Sequence, residues 1–160
     1  MAEMTNPYTA LLSYQAAHKE GRVRPQPCAL HSDLFVLMDD ANGSARVSYA
    51  LIERGVVKAI AIFIAGARID QVPLFDMGYA VDERFRCQGI ASRLTEQSLS
   101  EMRAGFGRHM PRFYIQAVVG TTNVASQKVA SRLFEDAPEA ITDSVSEQPA
   151  LAYLRLIHCQ

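Results

Sequence analysis

Three cysteines stand in the 160 residues, Cys28, Cys87 and Cys159, and their odd number and wide spacing argue against a disulfide framework or a thiolate zinc site. His18, His31, His109 and His158 are equally scattered, and none pairs with a cysteine or carboxylate at ligand spacing, so no metal is expected. Charge of one sign is also missing. A net charge of −1 and the lack of a long basic run give no bulk attraction to nucleic acid or an anionic membrane. The longest apolar run, residues 59–67, is interrupted by Gly66 and falls far short of the ~20 residues a membrane helix needs. Residues 1–7 lack a charged start followed by an apolar core, so no secretory leader is read there and a cytoplasmic location is the expectation. Repeats, linkers and low-complexity tracts are absent too. What remains is an ordinary composition, 49% hydrophobic and 21% charged, in one domain spanning 1–160. Its partners are then small molecules or other proteins.

Periodicity orders the chain. Asn6-Pro7 reads as an N-cap and first helical residue, with Tyr8, Leu11, Leu12 and Ala16 on one apolar face and Gly21 as the stop. Two prolines make 22–28 a loop. Residues 34–38 are a short strand, and Asp39-Asp40-Ala41-Asn42-Gly43 turns the chain back into a strand over 45–52. A second turn at 53–55 leads to 56–64, the most apolar strand and therefore the central one. A loop then leads to a strand at 75–81. Connections this short make an antiparallel meander. A helix follows, with Ala91, Leu94, Leu99, Met102 and Phe106 on its apolar face and Arg93, Glu96 and Glu101 elsewhere. A strand at 112–119 completes a βαβ unit, so the strands flanking the helix are expected to be parallel. Thr121-Thr122-Asn123 caps a further helix through Leu133, and 150–157 is the last strand. The polar stretch 139–149 reads as loop, with brief pairing open to 140–142. The fold class is thus α/β (α+β), a mixed central sheet.

The segment between the strand ending at Val81 and the helix after it carries the chemistry. The chain must turn sharply there, and Gly89 and Ala91 are small enough to allow close approach. Successive backbone N–H groups at a helix start, with the helix dipole behind them, build an anion site. Arg84, Arg86 and Arg93 strengthen the positive field. No Gly-Lys-Ser/Thr follows, which excludes a nucleotide-hydrolysing loop.

Arg86-Cys87-Gln88-Gly89-Ile90-Ala91 fits the pattern Arg/Gln-x-x-Gly-x-Gly/Ala. With the strand before it, the amphipathic helix and strand after it, and Asn123-x-x-Ser126 beyond, the chain resembles the GNAT superfamily of N-acetyltransferases from about residue 45 to 157. The resemblance implies acetyl-coenzyme A as co-substrate. Backbone groups of Ala80 and Val81 would pair with the pantetheine arm. The N–H groups of Arg86, Cys87, Gln88, Gly89, Ile90 and Ala91 would cradle the pyrophosphate, with Ser92 adding its hydroxyl. Asn123 would either fix the arm or serve only as an N-cap. Lys128 and Arg132 would meet the nucleotide phosphates or simply line a solvated helix face. The sequence departs from the family at two places. Ala130 stands where a tyrosine usually protonates the departing thiolate, and Leu133-Phe134-Glu135 replaces the usual Gly-Phe ending.

Acetyl transfer to an amine needs an acceptor for the amine's proton and a donor for the developing oxyanion, for which a backbone N–H near Ala80 or Val81 is suited. Asp76, on the strand leading to the loop and on the side of Gly78 and Ala80, is the base candidate, or an ordinary polar residue of a sheet face. Ser126 resembles the serine that serves the leaving thiol in the ribosomal-protein acetyltransferase branch, or is a helix N3 residue bonded to the cap. Tyr153 is a third catalytic candidate, or a packed core tyrosine. Cys87 has no histidine near it in sequence, and its position implies a backbone role. The acceptor would be a primary amine, small molecule or protein N-terminus. The alternative is a catalytically weak module or sensor that holds acyl-coenzyme A, and the edge strands leave a homodimer open.

Overall fold

The computed structural model describes residues 6–159, and the leader reading rests on residues outside that range. Helix α1, Pro7–Lys19, starts as the Asn6-Pro7 pair dictates, the Asn6 side chain accepting from the Tyr8 N–H at 2.9 Å. A two-residue strand, β1 (Gln26–Pro27), follows where a loop was expected. Its proline is tolerated because β1 is an edge paired only to β2 (Leu34–Ala41). The meander continues through β3 (Ser44–Glu53), β4 (Val56–Ala65) and β5 (Leu74–Val81). Strand β2 runs three residues further than its apolar part. Asp39 and Asp40 stay in the ladder, and Arg46 pairs with Asp39 across it at 2.6 Å. The turn shrinks to Asn42 and Gly43, both at positive φ, the two-residue geometry whose twist matches the strands.

Past β5, a short 3-10 turn (Glu83–Phe85) and a loop lead into α2 (Ile90–Phe106), then β6 (Arg112–Gly120), α3 (Val124–Leu133), β7 (Glu139–Thr142) and β8 (Pro149–His158). The strands form a single sheet in the order β1-β2-β3-β4-β5-β6-β8-β7. Every neighbouring pair is antiparallel except β5 and β6, the parallel pair that the βαβ reading requires. The brief pairing open to 140–142 is realised as β7, an edge strand against β8.

Strand β4 lies mid-sheet, and its apolar run is explained by burial on both faces. Ala59, Ala61 and Phe63 join a core with Leu94 and Met102 of α2 and Phe113 and Ile115 of β6. Ile60, Ile62 and Ile64 form a second layer with Leu11 and Tyr14 of α1 and with Ala80. Two expectations for the helices need correction. The α1 face is set by Leu11, Tyr14 and Ala17, leaving Leu12 49% exposed. On α2, Glu101 is buried at 6% exposure. Its carboxylate takes the Leu30 N–H at 3.0 Å and His31 Nδ1 at 2.7 Å, which satisfies a charge that would otherwise be costly there.

Candidate active site

The parallel pairing of β5 with β6 is short. Leu74, Phe75 and Asp76 lie opposite Tyr114, Ile115 and Gln116, and no pairing continues beyond them. Residues 77–81 remain bonded to β4 and residues 117–120 to β8, so the two strands part and leave a cleft of about 1180 Å³ through the sheet. In an antiparallel ladder alternate residues turn their backbone N–H and C=O away from the partner strand. The bonds from Asp82 N–H to Lys58 and from Gly66 N–H to Leu74 set the register, so Met77, Tyr79 and Val81 turn their backbone groups to the cleft. The Val81 carbonyl is taken by Arg86, while the backbone groups of Ala80, expected to meet the arm, are committed to β4.

At the mouth of the cleft stands the start of α2. Gly89 is the N-cap, in the left-handed region at φ 73°, with no side chain capping the helix. Cys87 also has positive φ, at 63°, and the alternation of hands folds the backbone into a concave turn. Among the described residues, no acceptor takes the backbone N–H groups of residues 86–92. A Cβ at Gly89 would meet nothing within 4 Å. A shallow, uncapped cradle with free N–H groups fits a phosphate or pyrophosphate group. Arg86, Cys87, Gly89, Ile90, Ala91 and Ser92 line the cleft, while Gln88 is exposed beside it.

The arginines divide differently from the sequence expectation. Arg84 is committed to Asp82 at 3.0 Å and Arg93 to Glu53 at 3.5 Å, so neither adds free charge to the cradle. Arg86 alone lines the cleft, its guanidinium over the Tyr8 ring at 5.0 Å and its Nε–H donating to the Val81 carbonyl at 3.2 Å. Asp82, only 7% exposed, braces the turn. It accepts from Gln15 of α1 at 2.8 Å and from the Arg84 backbone and side chain, bonds that hold its carboxyl well below the usual carboxylate range.

Asp76 and Ser126 both line the cleft, on opposite sides of the sheet. Asp76 shares the α1 side with Gly78 and Ala80, as alternation requires, and sits beside Gln116 at the point where the strands part. Burial pushes its carboxyl pKa up, with no neighbouring charge opposing the shift. Tyr79 and Met77 face the α2 and α3 side. There the Tyr79 hydroxyl donates to Ser126 Oγ at 2.9 Å. Asn123 acts as the N-cap of α3, accepting the Ser126 N–H at 3.1 Å, and also lines the cleft. Tyr153 does not reach it. At 3% exposure it packs in the core against Phe134, with ring centroids 5.5 Å apart, because the β8 register turns it to the helix side. Lys128 and Arg132 are exposed and lie outside the cleft lining. Ala130 is buried and offers no hydroxyl. The Leu133-Phe134 ending buries both side chains and leaves the Leu133 carbonyl to Arg155 at 2.7 Å, which turns the chain toward β7 without the glycine.

Several lining residues escaped sequence reasoning. Tyr79 was read only as part of a strand, and alternation alone would have placed it opposite Asp76. Gln116 required the β5–β6 register. Asp143, Ser144 and Val145 come from the β7–β8 turn, where Asp143 accepts from Ser146 Oγ at 2.9 Å and from the Val145 N–H. These bonds lower the Asp143 carboxyl pKa. Among the described residues, no group of three or more His, Cys, Asp or Glu is placed to hold a metal ion, and no helix is long and apolar enough to cross a membrane.

A meander opening through one short parallel pair onto an uncapped helix start is the fold of the GNAT acetyltransferases. Solved structures of that class match it. RimL, a ribosomal-protein α-N-acetyltransferase solved with coenzyme A, superposes with TM-score 0.56 at 22% identity, over 72% of this chain and 64% of that one. A GNAT-family acetyltransferase from Streptococcus pneumoniae gives 0.54 at 14% identity, over 98% of both chains. A chimera of the spermidine N-acetyltransferase SpeG from Vibrio cholerae and hSSAT gives 0.55 at 10% identity, over 69% of both. The chain thus spans just under two thirds of the length of RimL. No family model and no curated protein sequence matches it.

Proposed function

We propose that the chain transfers an acetyl group from acetyl-coenzyme A to a primary amine, by direct attack of the amine on the thioester. The observation that carries this reading is the parting of β5 from β6 beside an α2 start whose backbone N–H groups have no acceptor among the described residues. An extended, amide-bearing arm ending in a pyrophosphate matches both features: β5 beyond Asp76 supplies strand-like backbone partners, and residues 86–92 supply donors for the phosphates. The bound co-substrate would bring a reactive thioester carbonyl.

The chain's own groups have the remaining work. Asp76 stands on the α1 side with a raised pKa, which makes its carboxylate a stronger base than an ordinary aspartate for removing the amine's proton. Ser126 stands on the other side as the donor toward the leaving sulfur. A backbone N–H on the free edge of β5 is available to the oxyanion. Two of the solved neighbours are named for a ribosomal protein and for spermidine, which supports an acceptor that is an amine of a small molecule or of a protein N-terminus. The test is thiol release from acetyl-coenzyme A over a panel of amines, amino acids and short peptides. Amine-dependent release supports the reading. Tight binding with no release across the panel favours the second one, a weak or inactive acyl-coenzyme A binder, to which the hydroxyl-free Ala130 gives some support.

A further inference from the structure

We infer that Tyr79 is a positioning residue whose phenol aims the Ser126 hydroxyl proton at the sulfur of coenzyme A, an inference that rests on the reading above. The hydrogen bond between them joins residues 47 apart in sequence and spans from β5 to α3 at 2.9 Å, with both side chains lining the cleft. Its direction follows from chemistry. A phenol is the more acidic hydroxyl and so the better donor, and burial raises the Tyr79 pKa further above its ordinary 10.0, which keeps the proton on the ring oxygen across the physiological range.

With Tyr79 donating, one lone pair of Ser126 Oγ is taken and its own O–H must point elsewhere. Among the described residues no other group bonds to Ser126 Oγ, so the proton is left for the cleft. Capping does not compete for it. The cap bond of α3 runs from the Ser126 backbone N–H to the Asn123 side-chain Oδ1 and does not use the hydroxyl. A chain of two donors also polarises cooperatively, so Ser126 becomes a stronger donor than a lone serine. No proton need change hands: the departing thiolate accepts a hydrogen bond from Ser126 Oγ–H, and the Tyr79 proton stays on Tyr79. With alanine at position 130, the hydroxyl that meets the sulfur is that of Ser126 on α3, and the phenol that backs it comes from β5.

The test uses the thiol itself rather than turnover. Coenzyme A is bound to the protein and the thiolate absorbance is titrated with pH, in the wild type, Tyr79→Phe, Ser126→Ala and the double variant. Affinity is measured by calorimetry and folding by thermal melts. Asp76, Arg86 and Asp143, the charged side chains of the cleft, are unchanged throughout, as are Tyr8 and Cys87, which also line it. The signal of the three free cysteines is subtracted with a coenzyme-free titration of each variant. In the wild type the bound thiol should ionise below the free value of roughly 8.5. Ser126→Ala should raise it by about one unit, a tenfold change in the ionisation constant, and Tyr79→Phe by about half that. In the Ser126→Ala background, Tyr79→Phe should add nothing, and affinity should stay within about twofold. Equal thiol pKa values in wild type and both single variants would overturn the inference, as would a Tyr79→Phe effect that persists without Ser126. A wild type that does not bind coenzyme A at millimolar concentration removes the acetyl-coenzyme A reading itself, and this inference with it.

Discussion

Gly89 separates backbone strain from ligand occlusion. At φ 73° it sits where any other L-residue is strained, and nothing lies within 4 Å of the Cβ it lacks. Gly55 offers the matched control. It has φ 77° and equally open surroundings, but belongs to the β3–β4 turn, outside the cleft lining. A left-handed alanine costs about 1–2 kcal/mol, partly offset by the lower entropy of its unfolded chain. Each Gly→Ala variant should therefore lose about 1 kcal/mol, roughly 2–4 °C of melting temperature for a chain of this size. Coenzyme A at a hundredfold excess over its Kd stabilises the folded state by about 2.7 kcal/mol, or roughly 5–10 °C. Gly55→Ala should keep that ligand-induced rise in full. Gly89→Glu should melt near Gly55→Ala without ligand and show no rise with it, since a carboxylate would occupy a cradle built for anions. Gly89→Ala, which carries the strain and only a methyl, should bind less than tenfold more weakly than wild type. Thermal melts at matched ligand concentrations decide the matter. A full ligand-induced rise in Gly89→Glu would refute the placement, and loss of the rise in Gly55→Ala would show that strain alone explains the effect.

Asp76→Asn should lower amine-dependent thiol release roughly a hundredfold while leaving coenzyme A affinity unchanged. The same variant should melt higher at neutral pH. A carboxyl whose folded pKa is raised contributes stability below its ordinary value of 3.8 and loses it as pH rises through the folded pKa, and asparagine removes that loss. Gly66→Ala would place a Cβ 2.8 Å from Asp76 Oδ2 and 3.0 Å from Leu74 Cδ2, so the carboxylate must move. Turnover should fall about ten- to a hundredfold with affinity intact, and an unchanged rate would count against Asp76 as the base. Asp82→Ala removes the bonds from Gln15 and Arg84 and should cost about 2 kcal/mol by chemical denaturation. Asp82 has a depressed pKa, so this cost should be complete at neutral pH and shrink as pH falls below 3.8 toward the folded value.

The legible parts of this molecule are those written in local chemistry. Asn6-Pro7 starts α1, Asn42-Gly43 closes a hairpin, the apolar run of β4 lies mid-sheet, and strand–helix–strand spacing makes β5 and β6 parallel. Asp76 and Ser126, the latter singled out only through the family resemblance, both line one cleft. What stayed hidden depends on pairs far apart in the chain. Arg84 and Arg93 looked like free positive charge until Asp82 and Glu53 were seen to claim them. Glu101 looked solvent-facing because its partners, Leu30 and His31, lie about 70 residues away. Tyr153 could have faced either way until the β6–β8 register fixed it, and the Tyr79–Ser126 bond joins two elements whose adjacency only the sheet order creates.

Amide hydrogen exchange with and without coenzyme A tests the central claim most directly. It reads the proposed backbone contacts residue by residue and needs no knowledge of the acceptor. Binding should slow exchange at the free edge of β5 through Val81 and at residues 86–92, whose N–H groups find no partner among the described residues, while the β2–β3 hairpin stays unchanged. Unchanged exchange in both segments at saturating coenzyme A, or protection confined to another part of the chain, would contradict the account.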